Sequence, residues 1–208
     1  MTKNLSVLHF SPQEIKDLLI SWLTLSLAFA VVLNPVFFNI TNLLLSLPLA
    51  LLAVGTGFVL HELAHREMAK HYGFHSEFRA WYPGLFIAIG LAIITMGQFI
   101  FAAPGATYFY GQNVTRKQNG IISLAGPAIN LILGIALLII GGLMADAFLG
   151  KMFGYAALIN FWFALFNLIP IYPLDGSKVV AWKPFVWIVF IAISGVLAFM
   201  PELVTSLF

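Results

Sequence analysis

Apolar residues in this chain come in long blocks and do not alternate with polar ones at a short period. Stretches wholly or largely free of Asp, Glu, Lys and Arg cover residues 18–33, 43–65, 80–115, 118–145, 152–174 and 184–201. A bilayer core of about 30 Å is crossed by roughly 20 apolar residues in a helix, so most of these blocks predict membrane-spanning helices. The 80–115 block is different. It holds Pro83, Gly84, Gly90, Gly97, Pro104, Gly105 and Gly111, and its second half, from Phe99 to Tyr110, is aromatic and extended in character. Its first half reads either as a spanning helix or as a short helix over about 84–96 that returns as a strand over about 98–110. No repeat or low-complexity linker interrupts the pattern, and one membrane-embedded domain over 1–208 is expected. The first block follows Lys16 and Asp17, and although Ala28-Phe29-Ala30 near its end has the form Ala-x-Ala, a retained anchor and not a cleaved signal is expected.

Composition agrees with this pattern. The 208 residues are 61% hydrophobic and 9% charged, with a mean hydropathy of +0.98, whereas a soluble domain carries about 25% charged residues. The lipid bilayer is therefore the expected surrounding. A net charge of +2 is too thin for a nucleic-acid footprint, so no nucleic-acid partner is expected. There is no cysteine, which removes disulfides, Fe–S clusters, Cys-type zinc fingers and thiol nucleophiles together. Any metal must sit on His, Asp or Glu.

One stretch carries such chemistry. His61-Glu62-Leu63-Ala64-His65 closes the second apolar block, where a helix is predicted, and the i, i+4 spacing puts both imidazoles on one helix face. Two neutral imidazoles so placed suit Zn²⁺, with the intervening Glu62 as general base. The plainer reading is a polar cluster at the membrane interface, helped by Arg66, Glu67 and Lys70. Glu62 weighs against it, because a carboxylate between two histidines after a long apolar run calls for a cation or a proton. A catalytic zinc usually has three protein ligands. Of the eight acids, Asp175 alone ends an apolar stretch away from charged flanks, in Asn167-Leu-Ile-Pro-Ile-Tyr-Pro-Leu-Asp175-Gly176, where two prolines break the helix. It is either the third ligand or a loop cap before Gly176. His9, His71 and His75 are expected at the interface or in solvent.

These motifs resemble those of the site-2 protease family of intramembrane zinc metalloproteases. The family patterns HExxH and NxxPxxxLDG are matched by His61, Glu62 and His65, and by Asn167, Pro170, Leu174, Asp175 and Gly176. Gly126-Pro127-Ala128-Ile129-Asn130 is a third family-like element, and the resemblance covers a core of about 43–180. It implies one Zn²⁺ on His61, His65 and Asp175, Glu62 as base, and Asn167 holding the substrate carbonyl or its oxyanion. Asn130 either binds substrate or serves as interhelical glue beside Gly126. The implied activity is hydrolysis of peptide bonds within or near transmembrane segments of other proteins. The alternative from another class is a zinc-type cation transporter, although the preceding apolar blocks hold no His, Asp or Glu for a conduction path. A catalytically dead scaffold is a weaker third reading.

Three ligands meet at one metal only if the helices bearing them end on the same side. Residues 84–110 must then leave and return on one side. The expected fold is an all-α polytopic membrane protein with five spans, at about 18–34, 43–71, 119–145, 153–171 and 184–201, and a re-entrant helix and strand element between the second and third. With the N-terminus in the cytoplasm, this arrangement puts every Lys and Arg but Lys151 on the inner side, nine of ten. A spanning 84–103 would split them six to four, which the positive-inside rule disfavours. The site is expected toward the cytoplasmic side of the cell membrane.

Overall fold

The computed structural model describes residues 10–34, 39–100, 104–111, 113–144 and 146–199. Helix α1 spans Pro12–Val32 and is capped by Ser11, whose hydroxyl accepts from the Glu14 N–H at 3.2 Å. It begins earlier than the charge-free block predicts, because its charged first turns are paired inside the protein. Arg66 Nε donates to Glu14 Oε1 at 2.8 Å, and so does the Phe78 N–H at 3.0 Å. Tyr82 Oη and Gln13 Nε2 donate to Asp17 Oδ1 at 2.7 and 2.8 Å.

The second span is one continuous helical rod, Ile40–His71. It consists of α2 (Ile40–Val54), a π-helical turn at Gly55–Val59 and α3 (Leu60–His71). Next come β1 (His75–Ala80), α4 (Tyr82–Ile94) and β2 (Gly105–Tyr110). The strands pair antiparallel, with His75 opposite Tyr110 and Ala80 opposite Gly105. The chain therefore leaves the sheet into α4 and comes back to the same strand end. Residues 101–103 of the expected strand lie outside the described residues, and β1 was hidden in the sequence by its charges: Ser76 and Phe78 point inward while Glu77 and Arg79 pair with each other on the other face.

Helix α5 (Arg116–Gly142) opens with a capping box made by Thr115 and Gln118. Helix α6 (Ala147–Asn167) starts at Asp146, whose carboxylate accepts from the Leu149 N–H at 2.8 Å. The segment after it, expected as a loop, contains a two-turn helix, α7 (Asp175–Trp182), followed by α8 (Pro184–Phe199). Residues 200 and 201 of the expected last span are outside the described residues. α5 packs against α3, α6 and α7, while α1 packs against α2, α4 and β1.

Among the described residues four helices are long and apolar enough to cross a membrane: Pro12–Val32, Ile40–His71, Arg116–Gly142 and Ala147–Asn167. Their packing has the polarity expected in lipid. Small residues such as Ala28, Ala53, Ala157 and Ala164 are fully buried, while Ile132, Leu143, Phe148 and Phe166 face outward. Where the solvent is hydrocarbon, helices associate through close backbone approach, and large apolar side chains lose nothing by remaining outside.

Candidate metal centre

The helix that carries His61 and His65 turns both rings toward α5 and the start of α7. His61 Nε2 and His65 Nε2 lie 2.9 Å apart, and Asp175 Oδ2 stands 3.3 Å from the first and 3.1 Å from the second. All three residues are buried. Asp175 is the first residue of α7 and the cap position is Leu174, so its carboxylate is turned to the imidazoles and does not cap the helix. Its other oxygen faces Lys178 Nζ at 3.5 Å.

The protonation pattern follows from the neighbours. His65 Nδ1 faces the Ile122 carbonyl at 2.7 Å, which only accepts, so Nδ1 carries the proton. His61 Nδ1 lies 2.5 Å from Asn130 Oδ1. The Asn130 amide is oriented by its Nδ2, which donates to the Gly57 carbonyl at 2.8 Å. In their neutral form both rings therefore present the Nε2 lone pair to each other and to a carboxylate. Three electron-rich atoms at 2.9–3.3 Å repel one another unless a proton or a metal cation lies between them. A tetrahedral zinc with ligands at about 2.0–2.1 Å puts its ligand atoms about 3.3 Å apart, so the residues present fit zinc in chemistry and in spacing. Among the described residues this is the one His/Asp/Glu group placed to hold a metal.

Two glycines let the elements close on this point. A Cβ on Gly126 of α5 would stand 2.4 Å from His65 Nε2 and 2.6 Å from His61 Nε2. A Cβ on Gly176 would stand 2.1 Å from the Leu168 carbonyl oxygen, so that glycine lets the start of α7 fold back against the end of α6.

Glu62 is half-buried beside the ligand set, and its Oε2 accepts from Thr107 Oγ1 of β2 at 2.7 Å. Asn130 is fully buried, with its amide bound to His61, Gly57 and Asn160. All its polar atoms are thus engaged inside the helix bundle. Asn167 ends α6 and donates to the Phe163 carbonyl at 3.0 Å, with no hydrogen bond to the cluster among the described residues. His71 and His75 are exposed, and His9 lies outside the described residues. Thr107 and Asn160 escaped the sequence reading. Asn160 had a signal, a lone amide deep in the apolar run Phe153–Phe166; Thr107 meets Glu62 only through the strand pairing.

Over 198 residues the chain is 40% identical to a protein of Methanocaldococcus jannaschii named "Putative zinc metalloprotease MJ0611", covering 94% of this chain and 98% of that relative. It is 27% identical over 169 residues to "Zinc metalloprotease MJ0392" of the same organism, covering 81% of this chain and 41% of the relative. With "Putative zinc metalloprotease Rip2" of Mycolicibacterium smegmatis it shares 32% identity over 133 residues, covering 56% of this chain and 50% of the relative. The chain thus spans nearly all of the first relative and half or less of the other two. No protein-family profile and no solved structure matches it.

Proposed function

Because the chain belongs to the site-2 protease family of zinc metalloproteases, we propose that it hydrolyses peptide bonds within or beside transmembrane segments of other membrane proteins. The observation that carries this reading is the buried trio formed by His61 and His65, on a 32-residue apolar span, and Asp175 at the start of α7. In this reading those three residues hold the zinc. When bound, the metal supplies Lewis-acid polarisation of the scissile carbonyl and activation of a water. Glu62 takes the proton from the attacking water and returns it to the leaving amine. Asn167 turns its amide from the Phe163 carbonyl to the developing oxyanion.

A substrate helix hides its amides in internal hydrogen bonds and must unwind before attack. Among the described residues strand β2 pairs with β1 along one edge, and its other edge suits an extended substrate segment. We place the helix and strand element as re-entrant. Support comes from the pairing of Ala80 with Gly105, which returns the chain to the strand end it left. Helix α8 is the fifth span, the 208 residues form one domain, and the N-terminus and the site face the cytoplasmic side of the cell membrane.

The test is reconstitution of the full chain in liposomes with a labelled transmembrane peptide. Cleavage that stops on chelation and returns with zinc is expected. Saturable zinc flux without cleavage, abolished in His61→Ala, would replace the protease by a carrier.

A further inference from the structure

Asn160 sits at the middle of α6, fully buried, at a depth where an amide without partners is expensive. Its partners fix which way it points. Nδ2 donates to the Ala156 carbonyl at 2.9 Å and to Thr56 Oγ1 at 2.8 Å. The Thr56 hydroxyl spends its own proton on the Leu52 carbonyl at 2.8 Å, so toward Asn160 it only accepts. Asn160 Oδ1 must then be the atom that faces Asn130 Nδ2, at 3.1 Å. With that contact and the one to Gly57, both Asn130 amide protons are used, and Asn130 Oδ1 is committed to His61 Nδ1. Every orientation in this row is set by an atom that plays one role only. Both Thr56 and Gly57 belong to the π-helical turn that precedes His61, and π turns of this kind concentrate at functional sites.

We infer that Asn160 is a positioning residue of the metal centre: acting through Asn130, it fixes the tautomer and ring plane of His61 so that the Nε2 lone pair points at the metal position. This rests on the reading of His61 as a ligand. It gives α6 two tasks, since the same helix leads at its end into the segment that delivers Asp175. A purely mechanical role, bonding α5 and α6 to the second span, makes a different prediction. It lowers the stability of the metal-free protein and leaves zinc affinity as it was.

The experiment measures zinc affinity of the purified full chain by competition with a chromophoric chelator, together with thermal unfolding of the metal-free form. Asn160→Leu is expected to weaken zinc binding measurably, by no more than the about 10–100-fold typical of removing a ligating histidine's direct partner, which here is Asn130. Thr56→Val should shift affinity in the same direction, and Thr56→Ser, which keeps the hydroxyl, should stay within about twofold of wild type. ¹⁵N shifts of His61 in the metal-free protein should report a proton on Nδ1 in wild type and a mixture of tautomers in Asn160→Leu. Wild-type zinc affinity in Asn160→Leu overturns the inference, as does the same result in Thr56→Val if Asn160→Leu does not fold. If His61→Ala also keeps wild-type zinc affinity, the ligand assignment itself has failed, so the two failures are told apart.

Discussion

Gly126→Ala adds one methyl group at the point where the two imidazoles meet. The new Cβ would lie 2.4 Å from His65 Nε2 and 2.6 Å from both Nε2 and Cε1 of His61, where real Cβ contacts stay beyond 3.0 Å. The His65 ring must therefore retreat by at least about 0.6 Å, against a tolerance of about 0.2 Å in metal–ligand distances. Neither ring is free to swing away, because each is held through Nδ1, to Asn130 and to Ile122. The helix itself does not object, since Ala is better than Gly inside a helix by about 1 kcal/mol, offset by overpacking of about 1–3 kcal/mol. The expected outcome is a folded protein with normal helicity whose zinc affinity is down by about 100-fold, or roughly 2.7 kcal/mol. Circular dichroism, zinc stoichiometry after gel filtration and chelator competition read these quantities. Full stoichiometry with wild-type affinity would refute the reasoning, because it would mean that the metal does not sit where His61, His65 and Gly126 converge.

Asp175→Asn should lower zinc affinity and Asp175→Ala should lower it further, by more than the 10–100-fold typical of losing an outer partner; unchanged metal content in both would return Asp175 to a structural role. Thr107→Val removes the hydroxyl that reaches Glu62 at 2.7 Å, a bond to a charged group of about 1.5–3 kcal/mol. A fall of about tenfold or more in kcat with little change in KM, restored by Thr107→Ser, is expected in peptide cleavage, and equal rates for Val and Ser would contradict it. The chain has no cysteine, so single cysteines at Asn113, Ser177 and Lys151 can be probed with an impermeant thiol reagent in cells and inverted vesicles. Asn113 and Ser177 should label from the cytoplasmic side and Lys151 from the other; external labelling of Asn113 would mean that residues 84–103 span.

How legible all this was in the sequence depends on the range of the interaction. His61 and His65 could be paired from their spacing alone, because the helix period is local. Asp175 stood out through the prolines before it, and its side chain does meet the imidazoles. The start of α1 was obscured because Glu14 and Asp17 look like a solvated flank until Arg66 and Tyr82 arrive from far along the chain. Strand β1 was lost for a similar reason: its alternation is short and its outward face is charged. The π turn and the Thr56, Asn160, Asn130 row depend on contacts among the second span, α5 and α6. No window of sequence holds those three residues together, although an amide isolated in an apolar helix was a pointer to them.

The central claim, that Glu62 performs hydrolysis at a zinc held by its neighbours, is tested most directly by measuring zinc content and peptide cleavage on the same preparation of Glu62→Gln. Glu62 touches Thr107 and belongs to none of the three ligand contacts, so the variant should keep about one zinc per chain while cleavage of the reconstituted transmembrane peptide disappears. Cleavage at the wild-type rate by the zinc-loaded variant would contradict the account.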